Sequence, residues 1–281
     1  MKSVLITGAG GGIGRALVAR FERAGWLVHA SERKGPGLVL DVTSEASVQD
    51  CKARIGVPDV VVNNAGLGLL GPIAETSDEV LMRQLDVNVR GLLRVTRAFV
   101  PEMCRRGHGR LINVGSLAGT FTLPWFGSYS ASKYAVEAMT DALRLEVAPF
   151  GVKVSLVEPT IVGTGFVDGA VASLEAAAPH SLWHQPLRQT VADRATFSRV
   201  QISPEQVAEA LFTAATARRP RARYRVGALS SVLLRLTAVL PTAVVDAALR
   251  VMGRLQAPAL PPAPRANTVL SLPAPRDGVS P

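Results

Sequence analysis

Tyr129 and Lys133 stand four residues apart in the stretch YSASK, inside a run whose apolar spacing predicts a helix over 128 to 148. At that separation both side chains rise from one helix face and can share a ligand. A phenol titrates near 10, so a tyrosine working as a base around pH 7 to 8 needs its anion stabilised by roughly 3 to 4 kcal/mol, and a neighbouring ammonium supplies such a field. The pair is a candidate proton-transfer centre. The plainer reading of the same spacing is a helix-surface contact contributing about 0.2–0.5 kcal/mol. Ser116, in NVGSLAG, follows an apolar run at 110 to 115, where its hydroxyl either donates to an oxygen gaining negative charge or caps a turn. TGAGGGIG, residues 7 to 14, places five glycines in eight positions between a first apolar run and the amphipathic IGRALVARFERAG. A phosphate approaching the amides of a helix N-terminus needs such bare backbone, although a glycine run also suits a flexible turn.

These residues need elements to hold them. Short runs rich in Val, Ile and Leu at 3 to 7, 27 to 31, 38 to 41, 59 to 63, 110 to 115, 152 to 158 and 222 to 227 alternate with helical patterns at 13 to 24, 44 to 55, 77 to 106, 128 to 148 and 203 to 217. Most runs are too continuously apolar for a strand with one wet face, which predicts a parallel sheet of about seven strands covered by helices on both sides: an α/β, Rossmann-type, doubly wound fold. Ligands of such sheets lie beyond the carboxyl ends of the strands. Ser203 and Pro204 mark a helix start. The segment 160 to 202 lacks a clean period and carries Phe166, His180, Trp183, His184 and Phe197, so it reads as a candidate substrate lid within a domain spanning 1 to 227. Two amphipathic patterns follow at 228 to 256, then a Pro/Ala-rich tail at 257 to 281 that reads as disordered.

With 281 residues, 48% of them hydrophobic, one large domain with a sizeable core is expected. Cys51 and Cys104 are far apart and lack metal-type neighbours, and His29, His108, His180 and His184 show no ligand spacing, so neither a disulfide framework nor a metal site is expected. A reducing cytoplasm fits. No stretch has the roughly 18 continuous apolar residues of a spanning helix. The net charge of +9 is lopsided: from Arg218 to Arg254 eight arginines face the single acid Asp246. That run is either a solvated basic surface or a patch for an anionic membrane surface or an acidic substrate group. It carries no nucleic-acid-binding signature.

The glycine loop also resembles the T-G-x-x-x-G-x-G loop of the short-chain dehydrogenase/reductase superfamily. LDVT (40 to 43), NNAG (63 to 66), DVNVRG (86 to 91), NVGSLAG, YSASK and VEPTIVGT (157 to 164) follow in that family's order, so the resemblance covers about residues 1 to 227. In character it is nearest to steroid- and retinol-dehydrogenase-like members, because RARYRVG is followed by an amphipathic pair. The resemblance implies an oxidoreductase that moves a hydride between a nicotinamide cofactor and an alcohol or ketone. Tyr129 would be its acid/base, Lys133 would lower the phenol's pKa and hold the nicotinamide ribose, Ser116 would bind the carbonyl oxygen, and the backbone carbonyl of Asn88 would hold a proton-relay water.

For the cofactor the resemblance implies Gly8, Gly12, Ile13 and Gly14 at the pyrophosphate, and Asn63, Ala65 and Gly66 beside the adenine ribose. Asp41, with Val42 alongside, would bind the adenine amine, and Pro159, Val162 and Thr164 would lie at the nicotinamide. Asp41 could instead cap the helix beginning near Ser44, and NNAG could be an ordinary turn. Thr160 stands where the family carries glycine, and a side chain there could crowd the nicotinamide side of the pocket or reshape it, which leaves the contacts after Pro159 open. Glu32 and Arg33 end the second strand; the acid favours NAD and the arginine NADP, and a loop without a basic residue tips the balance to NAD. The aromatic 161 to 202 segment and the Leu/Val-rich C-terminal helices suggest a lipophilic steroid-, retinoid- or acyl-like substrate, or else they cover the core or an interface. The family further implies a homodimer or homotetramer built through the helices at 77 to 106 and 128 to 148. A second reading is a catalytically silent dinucleotide-binding module acting through protein partners.

Overall fold

A computed structural model describes residues 1–193, 201–227 and 239–252. Seven strands form one sheet in the order β3-β2-β1-β4-β5-β6-β7: β1 Ser3–Thr7, β2 Leu27–Glu32, β3 Leu38–Val39, β4 Val60–Asn63, β5 Gly109–Val114, β6 Val152–Pro159 and β7 Arg223–Val226. Every pairing is parallel. Chain order reverses between β1 and β4, which opens a crevice at the carboxyl ends of those two strands.

Alternation along β1 explains why the run is apolar throughout. Val4 and Ile6 join a core with Leu17 and Phe21 of α1 (Gly12–Glu22) and Val207 and Leu211 of α8 (Pro204–Thr216). Leu5, on the opposite face, joins Val48 of α2 (Glu45–Ile55) and Val95 and Phe99 of α4 (Leu92–Arg105). Both faces are therefore dry, as the sequence pattern requires of a doubly wound sheet. Phe21 is fully buried and meets Trp26 and Phe212 edge to face, each at 5.1 Å between ring centres. Cys51 and Cys104 are free thiols, and burial pushes Cys51 up to about 11.

Several elements differ from expectation. The helix expected over 77 to 106 is broken: α3 (Asp78–Leu85) passes through a π-helical turn at Asp86–Gly91 into α4, so Asn88 sits on a bulge rather than on a regular helix. Among its described residues the long 160 to 202 segment holds α6 (Gly165–Ala177) and α7 (His184–Ala192), while 194–200, with Phe197, lies outside them. α6 is rich in alanine, a strong helix former that leaves no polar period to read. The third strand is only two residues long because Asp41 already belongs to a turn, where its carboxylate accepts from the Thr43 amide at 2.8 Å and hydroxyl at 2.7 Å. α5 (Gly127–Val147) and the Ser203 capping box with Gln206 match expectation. Of the two C-terminal amphipathic patterns, α9 (Thr242–Met252) is described; the stretch 228–238 and the tail from 253 lie outside the described residues.

Part of the basic run is structural. Arg223 of β7 is bound to Glu137 and Asp141 of α5, rather than presenting a free cation. Phe21→Ala should destabilise the fold by about 3–5 kcal/mol, because two aromatic neighbours would line the cavity left behind. Urea unfolding followed by circular dichroism, with an unchanged m-value, checks this.

Candidate active site

The crevice begins with bare backbone. Gly8 has a φ of 64°, and a Cβ there would come within 2.9 Å of the Ala65 Cα. A side chain at Gly14 would collide with the Gly8 carbonyl, and one at Gly12 with the Thr164 methyl. α1 starts at this point with Gly11 as its N-cap and no side chain bonded to its free amides. Those amides and the positive end of the helix dipole are left for an anion. A cavity of about 630 Å³ opens beside them, lined by Gly12, Arg15, Thr164, Asp168, Gln201 and Glu205 among others.

The loop is tied to NNAG by two residues that the sequence reading did not select. Thr7 Oγ accepts from the amides of Asn64 and Ala65, both at 3.0 Å, and Asn64 Nδ2 donates to the carbonyls of Thr7 and Gly8, also at 3.0 Å. Asn63 itself faces the sheet interior, donating to Asn113 Oδ1 at 2.9 Å, so its side chain braces β4 to β5. Ala65 and Gly66 lie at the crevice wall; the Gly66 position is bounded by Asn88 Oδ1 and Lys133 Nζ. Glu32 folds over the glycine loop, where a Cβ on Gly10 would stand 2.6 Å from its Oε1. Arg33 is exposed. Ser44, not Asp41, caps α2, accepting from Ser47. Val42 is buried against Gly91, and its carbonyl accepts from the buried Arg94 at 3.1 Å.

Tyr129 and Lys133 are both buried on α5, with the ammonium 5.8 Å from the centre of the phenol ring. Ser116 caps the short turn after β5, accepting from the Ala118 amide at 3.1 Å, and its hydroxyl acts to lower the pKa of Tyr129. Without the cofactor, burial pushes Tyr129 up to about 12, with Ser116 opposing, while Lys133 Nζ donates to the Val114 carbonyl at 3.0 Å. Burial also lowers Lys133 to about 8, against the pull of Glu137. Asn88 clamps the chain beside this pair: its Nδ2 donates to Leu67 O at 2.8 Å and to Ser132 Oγ at 2.9 Å, and its Oδ1 accepts from the Leu67 amide at 2.8 Å.

The wall around Tyr129 is apolar. Phe126 and Phe166 approach its ring to 6.3 and 5.7 Å, and Leu70, Leu174 and Leu187 pack in the same cluster, joining α5 to α6 and α7. Trp125, held at a φ of 71°, meets Trp183 at 6.4 Å and donates to Thr190. Beyond β6, Pro159 and Val162 are buried, and Thr164 reaches the glycine loop. The side chain of Thr160 is directed at Gly227 at the end of β7, where a Cβ would stand 2.5 Å from its Oγ1. Among the described residues no group of three or more His, Cys, Asp or Glu could hold a metal ion.

A parallel sheet whose order reverses beside a helix start left bare for an anion is a Rossmann-type dinucleotide fold. The family model for short chain dehydrogenase matches residues 2–175, and the chain belongs to that family of oxidoreductases. It is 35% identical to human 17-beta-hydroxysteroid dehydrogenase type 1 over 249 residues, covering 79% of this chain and 76% of the relative. It is 32% identical to the 3-ketodihydrosphingosine reductase of Bacteroides thetaiotaomicron over 260 residues, covering 88% and 96%. Two solved short-chain dehydrogenases are similar in fold. That of Burkholderia cenocepacia, in complex with NADP, has a TM-score of 0.69 at 26% identity, covering 89% of this chain and 99% of that one. That of Burkholderia phymatum, in complex with NAD, has a TM-score of 0.70 at 27% identity, covering 84% and 92%.

Asn88→Ala removes the partners of the Leu67 amide and carbonyl together. A loss of about 1–3 kcal/mol for each group left buried and unpaired is expected, measured as a lowered urea midpoint.

Proposed function

We propose that the protein oxidises lipophilic secondary alcohols or reduces the matching ketones with a nicotinamide cofactor, with Tyr129 as acid/base. The observation that carries this reading is the buried Tyr129, one helical turn from the buried Lys133 and acted on by Ser116 after the carboxyl end of β5, together with the bare start of α1. The bare cradle at Gly8, Gly12 and Gly14 fits a pyrophosphate, with the amides of Gly12, Ile13 and Gly14 as donors and Glu32 placed for ribose hydroxyls. Ala65, Gly66, Asp41 and Val42 would line the adenosine side, and Pro159, Val162 and Thr164 the nicotinamide side. When bound, the cofactor supplies or accepts the hydride. Tyr129 moves the hydroxyl proton, and Ser116 donates to the oxygen as it gains charge. Lys133 holds the site electropositive, and Asn88 fixes the neighbouring chain.

Substrate class rests on the apolar wall of Phe126, Phe166, Trp125, Trp183, Leu70 and Leu174. The names of the steroid and sphingoid-base relatives support it. Exposed Leu93, Tyr134 and Leu145 on α4 and α5 support self-association through those helices. No helix among the described residues is long and apolar enough to cross a membrane. The placement of Glu32 over Gly10 favours NAD, since a carboxylate there accepts two ribose hydroxyls and repels a 2′-phosphate.

Estradiol, decan-2-ol and propan-2-ol, compared by NADH absorbance, test the reading. Estradiol and decan-2-ol should be turned over faster than propan-2-ol, and Tyr129→Phe should lower kcat by about 10²–10⁴-fold while NADH still binds. Turnover surviving in Tyr129→Phe would remove the assignment of the base, and equal rates for all three alcohols would remove the lipophilic pocket. In fluorescence titrations NADH should bind more tightly than NADPH; a preference for NADPH of about tenfold, near 1.4 kcal/mol, would reverse the cofactor assignment.

A further inference from the structure

One helical turn beyond Lys133, α5 carries Glu137, which is 8% exposed, and it meets Glu158 of β6, which is 1% exposed. The two carboxyls converge on Arg223, whose Nε stands 3.3 Å from Glu137 Oε2 and 3.9 Å from Glu158 Oε2. Glu137 Oε1 and both oxygens of Glu158 are buried and meet no N–H or O–H donor in the protein. Two carboxylates are acceptors only, so crowding both against one guanidinium at such depth favours keeping a proton on the pair. Arg223 fixes the other side: its Nε and Nη2 donate to Glu137 Oε2 at 3.3 and 3.2 Å.

The surrounding charges are few and defined. From α5 come Lys133 and Asp141, the latter bound to Arg223 at 2.5 Å and to Arg144. From β7 come Arg223 and Arg225, whose Nε atoms stand 3.9 and 3.7 Å from Glu158 Oε2. The turn 115 to 120 that packs over the pair, GSLAGT, has no ionisable side chain. That turn needs glycine to approach: a Cβ on Gly115 would stand 3.4 Å from Glu137 Oε1, and one on Gly119 would stand 3.1 Å from Glu137 Cγ. The pair thus lies directly under the turn that bears Ser116. Glu137 also stands four residues from Lys133 on the same face of α5, and its charge stabilises the ammonium.

We propose that Glu137 and Glu158 share one proton at neutral pH and release it to solvent as pH rises, adding a negative charge beneath Lys133 that keeps the lysine in its ammonium form. Glu137 is then a positioning residue of the proton-transfer centre. Burial and repulsion by Glu158 raise Glu137 to about 7, while burial brings Lys133 down to about 8, so the pair loses its proton just below the range in which the lysine would lose its own. The role in catalysis rests on the reading of Tyr129 and Lys133 given above; the shared proton and the coupling to Lys133 do not.

The direct readout is the charge of Lys133, followed by NMR of the full chain carrying ¹⁵N-lysine, with the resonance assigned through Lys133→Met. Glu137→Gln removes the stabilising anion, so Lys133 should lose its proton at a pH lower by about one unit. Glu158→Gln relieves the repulsion on Glu137, which then stays ionised, so Lys133 should titrate no lower than in the parent protein. The infrared carbonyl stretch of ¹³C-glutamate-labelled protein should contain a protonated-acid band at pH 6 that bleaches by pH 9 and is lost at pH 7 in Glu158→Gln. A Lys133 titration unmoved by Glu137→Gln, or lowered equally by both variants, overturns the coupling. Absence of the acid band from the parent overturns the shared proton. Activity reports separately: the alkaline limb of estradiol oxidation should fall with Glu137→Gln. If Tyr129→Phe keeps its turnover, the catalytic reading fails, whatever the NMR titration gives.

Discussion

An ammonium taken out of water constrains the whole carboxyl edge of this sheet. Lys133 has nearly all its surface buried, and a buried charge survives only where acceptors and counter-charges are already in place. The Val114 carbonyl at the end of β5 supplies one acceptor, and Glu137 one turn along supplies field. To bring β5 and its following turn that close to α5, Gly119 must sit against the Lys133 carbonyl, where a Cβ would be 3.0 Å away. The position of Ser116 beside Tyr129 follows from the same close approach. Sheet, turn and helix are thus held in register by one lysine.

A second close approach fixes the other half of the crevice. Gly8 and Gly14 let β1 turn into α1 against Ala65, and Thr7 with Asn64 locks that contact by four hydrogen bonds at 3.0 Å. The π turn at Asp86–Gly91 then brings Asn88 to the back of the Gly66 strand end, so the bulge links the two halves through Leu67. Each of these features places polar backbone in a dry setting, and each is satisfied by a specific side chain.

What the residues reveal by themselves follows from whether a local pattern decides the outcome. Continuous Val/Ile runs dictate strands buried on both faces, and Ser203-Pro204 dictates a helix start, so both are legible without tertiary information. The break in the helix around Asn88 is not, because a π turn costs no change in apolar spacing large enough to notice. α6 is obscured by alanine, which forms helix well without marking a face. Thr160 could be flagged as a departure, yet its direction depends on Gly227 across the sheet. Asn63 and Asn64 are indistinguishable in NNAG, and only the strand's alternation sends the first inward to Asn113 and the second toward Thr7. Glu137 and Glu158 are 21 residues apart in sequence and meet only because α5 lies on β6, so no spacing rule could pair them.

On the proposed reading, the direction for which the protein itself is prepared follows from the balance at Tyr129. Burial of the phenol outweighs the help of Ser116, and the ammonium nearby is already bonded to Val114. At neutral pH the hydroxyl therefore keeps its proton, which is the form that can be given to a carbonyl oxygen. Accepting a proton from an alcohol requires more positive potential at the ring than Lys133 alone provides. The carboxyl pair under Lys133 works against loss of that potential in the alkaline range, where the lysine would otherwise become neutral. The two buried ionisable clusters of α5 are therefore arranged in series along one helix face, with the outer one exchanging a proton with substrate and the inner one setting the charge of the residue between them.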